Sequence, residues 1–101
     1  EYSGLRIDPV RHQVTLKEMA VSLSPAEYNL LYFFMSHPDR AYTRTQILDK
    51  VWGDNAYVEE RTVDVHIRRL RKLLTPSGHD AFIQTVRGVG YRFTPQSLSG
   101  I

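Results

Sequence analysis

Arg61, Arg68, Arg69, Arg71 and Lys72 crowd one stretch of this chain, Arg-Thr-Val-Asp-Val-His-Ile-Arg-Arg-Leu-Arg-Lys-Leu-Leu at residues 61–74, with Asp64 as its one acid. Cations at this density suit phosphate oxygens, and an arginine fork also matches the paired acceptors on a guanine edge. Wound at about 100° per residue, the stretch divides into two faces. Val63, Ile67, Leu70 and Leu74 form a narrow apolar stripe, and Arg61, Val65, Arg68 and Lys72 lie roughly opposite. Thr62 and Arg69 flank the stripe on one side and Arg71 on the other. A solvated helix face usually mixes both signs of charge for pairing at i,i+4. This face does not, which favours a helix that docks by its stripe and meets phosphates and base edges with its cations.

Other chemistries find less support. Cysteine is absent, so the chain has no disulfide framework, no thiolate chemistry and no cysteine-ligated metal. His12, His37, His66 and His79 are scattered, and Glu59-Glu60 are the only neighbouring acids, placed at a helix start. A nuclease would need clustered carboxylates or histidines to hold a metal. No catalytic residue, metal site or cofactor is therefore expected.

The 101 residues make one domain, with 42% apolar and 24% charged residues. The net charge of +2 hides an asymmetry. Residues 1–60 carry six Lys/Arg against nine Asp/Glu, and residues 61–101 carry seven against two. An anionic partner for the C-terminal half follows. A membrane surface would want large exposed apolar residues beside the cations. Here those residues sit on the stripe the core requires, so nucleic acid is favoured. No run approaches the length of a membrane span and no signal-peptide pattern is present. The first residue is Glu1 rather than Met, the pattern of a piece cut from a longer protein.

The elements that must position the basic helix follow in chain order. Residues 1–23 read as short strands: Leu5-Arg6-Ile7, then Gln13 to Leu16, a tight Lys17-Glu18 connection, and Met19 to Leu23. Ser24-Pro25-Ala26-Glu27 starts a helix, with Ser as N-cap, Pro at the first position and Glu completing a capping box. That helix carries Tyr28, Leu30, Leu31, Phe33, Phe34 and Met35 and ends at His37-Pro38, with His37 as a helix-end residue. Thr43 to Gln46 form a second capping box, opening a short helix with Ile47, Leu48, Val51 and Trp52 on its inner side. A turn-rich segment leads to the basic helix, which stops at Thr75-Pro76-Ser77-Gly78. Phe82 to Val86 and Tyr91 to Phe93 then make a β-hairpin with Arg87 at its tip. The hairpin glycines read equally as a slender loop that can enter a groove or as positions needing positive φ. The expected domain spans 1–95, with a sheet over 1–23, three helices over 24–75 and a hairpin over 82–94; 96–101 read as a frayed tail.

This order is that of a winged helix-turn-helix. Residues 61–72 and Thr-Val-Arg-Gly-Val-Gly-Tyr-Arg-Phe at 85–93 resemble the signature blocks of the OmpR/PhoB-type effector domains of two-component response regulators. Ser-Pro-Ala-Glu-Tyr-Asn-Leu-Leu at 24–31 and Val-Trp-Gly at 51–53 are similar to the family's first and second helices. Nearly the whole chain is covered, and residues 32–72 look closest to the family's phosphate-starvation regulators. The resemblance implies an α+β winged helix-turn-helix with a four-stranded N-terminal antiparallel sheet, three helices and a C-terminal wing. It also implies a transcriptional activator, cytoplasmic and nucleoid-associated, whose copies bind direct repeats on double-stranded DNA head-to-tail.

On matching positions, Arg61, Thr62, Val65, His66, Arg68, Arg69 and Arg71 become the DNA-facing set, with Lys72 on the same basic face. Trp52, Thr85, Arg87 and Tyr91 become backbone and wing contacts. The helical wheel agrees for Arg61, Thr62, Val65, Arg68 and Arg69, whereas His66 and Arg71 flank the apolar stripe. A valine among the cations is sensible, because an apolar methyl meets a thymine methyl. His66 also suits a half-buried spacer, and Trp52 and Tyr57 also suit core packing. The loop Gly53, Asp54, Asn55, Ala56, Tyr57 and Val58 is cast as a contact for RNA polymerase or its sigma factor. The family's phospho-accepting receiver domain, addressed by a sensor kinase, leaves no trace in this sequence, so a constitutive DNA binder is expected. The rival reading is a winged helix that binds protein and not nucleic acid.

Overall fold

A computed structural model describes residues 2–53 and 58–95. The first three strands form an antiparallel meander in which β1 (Leu5–Asp8) pairs with β2 (Gln13–Leu16) and β2 with β3 (Met19–Val21). Lys17 and Glu18 both take positive φ between β2 and β3, the two-residue turn that matches strand twist. Four strands were expected here and three are found. Tyr2 makes a single bridge to Leu5 across a Ser3-Gly4 turn with positive φ at both residues, which limits a fourth strand to one pairing among the described residues. The sheet buries Leu5 and Val14 completely or nearly so.

Helix α1 (Pro25–Ser36) starts as its sequence demands, with the Ser24 hydroxyl accepting from the Glu27 backbone N–H. The second half of the expected capping box does not form. Glu27 is buried and its carboxylate accepts from the Ser24 hydroxyl and faces His66 instead. Leu30, Leu31 and Phe34 are fully buried, so α1 is the centre of the core. At its end the His37 ring lies 2.9 Å from the Phe33 carbonyl, a cap as read from the sequence.

A strand that sequence patterning does not reveal, β4 (Ala41–Thr43), comes next. Thr43 then caps α2 (Arg44–Ile47) in a complete capping box with Gln46, and the chain continues through a π-helical turn, Leu48–Trp52. Helix α3 (Glu60–Leu74) buries Val63, Ile67, Leu70 and Leu74, the stripe expected of it. Its last carbonyls lead into a short 3₁₀ turn, and Gly78 closes it in the left-handed region at φ 81°. The chain returns through β5 (Ile83–Val86) and β6 (Gly90–Phe93). The wing is thereby a three-stranded sheet in the order β4-β6-β5, not a free hairpin. Phe82, Phe93 and Tyr2 pack ring edge to ring face and join this sheet to the N-terminal one. His79, fully buried, adds to that joint, its ring nitrogens lying 2.7 Å from the Ser77 hydroxyl and 2.8 Å from the Ser3 carbonyl.

Candidate nucleic-acid interface

Docking α3 by its apolar stripe leaves Arg61, Val65, Arg68, Arg69 and Lys72 exposed on the outer side of the helix, with Thr62 half-buried beside them. Arg61 pairs with Glu59. Arg68, Arg69 and Lys72 have no ion-pair partner among the described residues, and neither has Arg87, exposed at the tip of the wing. Unpaired cations beside an apolar Val65 make a surface that offers charge and donors outward while asking little desolvation of its own salt bridges.

At the tip, the Val89 N–H closes a turn on the Val86 carbonyl at 3.0 Å. Gly88 has φ 76°, as the third position of such a turn requires, and an added Cβ there would meet open space. Gly90 has a different reason. A Cβ at that position would overlap the Tyr42 carbonyl of β4, so only glycine permits the pairing of β6 with β4. Between the wing and the starts of α2 and α3 lies a cleft of about 480 Å³, walled by Arg44, Thr45 and Glu60 on one side and Arg87 and the wing strands on the other. Thr45 donates to Glu60 at 2.6 Å across its floor.

Five other expected contact residues are engaged by other parts of the protein. His66 is mostly buried, with Nδ1 2.6 Å from Glu27 Oε2 and its ring 5.4 Å from that of Trp52. It sits next to Ile67 on the flank of the stripe, so it reaches α1 rather than the outer face. Trp52 is half-buried and packs against the core. The Arg71 guanidinium donates to the Ile83 carbonyl through Nε and Nη2, at 3.1 and 2.9 Å, and to the Thr85 hydroxyl at 2.8 Å. Arg71 and Thr85 therefore tie α3 to the wing. Tyr91 is buried, with the Arg71 guanidinium 5.6 Å from its ring centre. Its hydroxyl donates to Asp64 Oδ1, and burial followed by that bond pushes its pKa up to about 12. Sequence reasoning missed the partners Glu27, Arg44 and Asp64. The signal available was Asp64, the one acid in the cationic stretch 61–74. Of the loop 53–58, residues 54–57 lie outside the described residues, Gly53 is exposed and Val58 half-buried.

A helix-turn-helix packed under a three-stranded wing, with the outer helix and the wing tip both cationic, defines the winged-helix class of transcriptional-regulator domains. A family model described as "Transcriptional regulatory protein, C terminal" matches residues 17–93. The chain is 58% identical over 94 residues to the phosphate regulon transcriptional regulatory protein PhoB of Escherichia coli, covering 93% of this chain and 41% of that protein. It is 58% identical over 97 residues to PhoB of Pseudomonas aeruginosa, covering 96% and 42%. The chain thus spans about two-fifths of the length of these relatives. Among solved structures, the AdeR DNA-binding domain in complex with an intercistronic region superposes with a TM-score of 0.84 at 32% identity, covering 95% of this chain and 99% of that one. The Klebsiella pneumoniae RstA DNA-binding domain in complex with the RstA box superposes at 0.82 and 36%, covering 95% and 96%. The chain belongs to the OmpR/PhoB-type family of response-regulator DNA-binding domains.

Proposed function

We propose that this domain binds double-stranded DNA sequence-specifically as the output module of a two-component regulator of the phosphate-starvation response. One observation carries the reading. Arg68, Arg69 and Lys72 on the outer face of α3, with Arg87 at the wing tip, are exposed and unpaired among the described residues. The major groove admits one helix, so α3 enters it with Arg68 or Arg69 at a guanine edge and Val65 at a thymine methyl. The wing reaches the neighbouring minor groove, where negative potential attracts the Arg87 guanidinium. The remaining cations neutralise phosphates and release counterions.

The phosphate regulon enters through the name of the PhoB relatives, 58% identical to this chain. The finer parts of the reading follow the family: head-to-tail copies on direct repeats, contact of residues 53–58 with RNA polymerase or its sigma factor, and control by a receiver domain and sensor kinase in the cytoplasm.

A salt titration against two duplexes tests the reading, one with two direct repeats of a phosphate-box-like element and one scrambled. Tight binding to the repeats with a steep loss in salt on both is expected. Equal binding to both duplexes discards the phosphate target. No binding to either at low salt discards DNA binding and leaves a protein-interaction module.

A further inference from the structure

Asp64 works against the surface that carries it. It lies on α3 between Arg61 and Arg68, its side chain 34% exposed, and a carboxylate there repels the phosphates that the neighbouring cations attract. The structure gives it other work. The Tyr91 hydroxyl donates to Asp64 Oδ1 at 2.5 Å, and Arg44 Nε lies 3.5 Å from the same oxygen. One carboxylate oxygen thereby joins α3, the first residue of α2, and β6 one residue beyond Gly90. Arg71, already bonded to Ile83 and Thr85 of β5, lies against the same tyrosine ring. Among the described residues, the side-chain hydrogen bonds between α3 and the wing strands run through Asp64 or Arg71.

We propose that Asp64 is a positioning residue for the wing: by holding Tyr91 and Arg44 it fixes the hairpin against α3 and so sets the offset at which Arg87 meets the duplex once α3 is seated. The functional half of this inference rests on the DNA-binding reading above; the geometric half does not. With its hydroxyl protonated across the neutral range, Tyr91 donates to Asp64 throughout.

The geometric half is tested without DNA. The chain has no cysteine, so spin labels at Lys72→Cys and Val89→Cys, both exposed sites, report a single distance between α3 and the wing tip. A narrow distribution is expected in the otherwise unsubstituted domain. Asp64→Ala and Tyr91→Phe should broaden or shift it, and an unchanged distribution in both overturns the inference. Tyr91→Phe keeps the buried ring, so it serves where Asp64→Ala fails to fold.

The functional half turns on a sign. If Asp64 acts only through its charge, Asp64→Ala removes a repulsion and tightens binding to every duplex. Positioning predicts the reverse: binding to the repeat duplex about fivefold weaker for Asp64→Ala, and weaker also for Tyr91→Phe. In an Arg87→Ala background neither substitution should weaken binding further, because the group being positioned is gone. Tighter binding by Asp64→Ala, or the same loss with and without Arg87, overturns the inference. Failure of the unsubstituted domain to bind any duplex overturns the DNA-binding reading instead, and the binding curve of that domain separates the two failures.

Discussion

His66 Nδ1 lies 2.6 Å from Glu27 Oε2, so a contact between a buried carboxylate and an imidazole fastens the cationic helix α3 to the first helix of the core. The same carboxylate accepts from the Ser24 hydroxyl, which also caps α1. Glu27→Ala should therefore lower stability by about 1–3 kcal/mol, since it removes the buried carboxylate that the Ser24 hydroxyl and the mostly buried His66 ring share. His66→Ala should cost a similar amount, and the double variant less than the sum of the two. Urea unfolding of the three variants measures this. A His66→Ala domain of unchanged stability but weakened DNA binding would place the histidine on the DNA side after all.

Val63 is fully buried on the stripe of α3. Val63→Asp puts an unpaired charge in that interior, a cost comparable with the whole stability of a small domain, about 5–15 kcal/mol. Circular dichroism should show an unfolded chain. A folded Val63→Asp domain that has merely lost DNA binding would contradict the docking of α3.

The exposed cations should separate into two kinds. Arg87→Ala and Lys72→Ala should weaken binding across sequences and lower the salt dependence by about one phosphate contact each. Replacing whichever of Arg68 and Arg69 meets a guanine should cost about 1–3 kcal/mol and relax preference at one base pair. Binding curves on a panel of single-base variants measure both. Equal losses on every sequence from Arg68, Arg69 and Arg87 alike would exclude direct readout by α3.

The two wing glycines should respond unequally to alanine. At Gly88 the cost is that of positive φ, about 1 kcal/mol, with no clash. At Gly90 the added methyl overlaps the Tyr42 carbonyl and must part β4 from β6, so the loss should be several times larger. Thermal melts of Gly88→Ala and Gly90→Ala check the order.

Tyr91 sets an alkaline limit. Its pKa rises from its ordinary value near 10 to about 12, through burial first and the bond to Asp64 second. The neutral phenol is thus favoured in the folded state, so its contribution to stability is complete below pH 10 and is lost as pH climbs towards 12. Urea midpoints for the native domain should fall across that window, and Tyr91→Phe should flatten that fall. An identical alkaline slope in both would assign it to other groups.

Much of this was legible in the sequence because it is local. The stripe Val63, Ile67, Leu70, Leu74 has a helical period, Ser24 and Thr43 are caps written in adjacent residues, and Pro76 with Gly78 ends α3. What escaped depends on distant parts of the chain. Ala41-Tyr42-Thr43 is too short to show a period, and becomes a strand only because β6 pairs with it across some fifty residues. The resemblance implied DNA contacts for His66 and Arg71, and no local pattern names the partners they meet in the fold, Glu27 and Ile83. The wheel had placed both beside the stripe, which is where those partners stand. Asp64 was visible as the one acid in the stretch 61–74, but only the fold brings Arg44 and Tyr91 to it.

The bond from Arg71 to the Ile83 carbonyl has a further consequence, which concerns solubility. β5 is an outer strand of the wing sheet, and such a strand offers unpaired carbonyls to any passing chain in extended conformation. Arg71 occupies one of them with two donors and lays a permanent charge along that border. The side chain that ties the wing to α3 thereby also guards the edge of the wing sheet against pairing with a second copy.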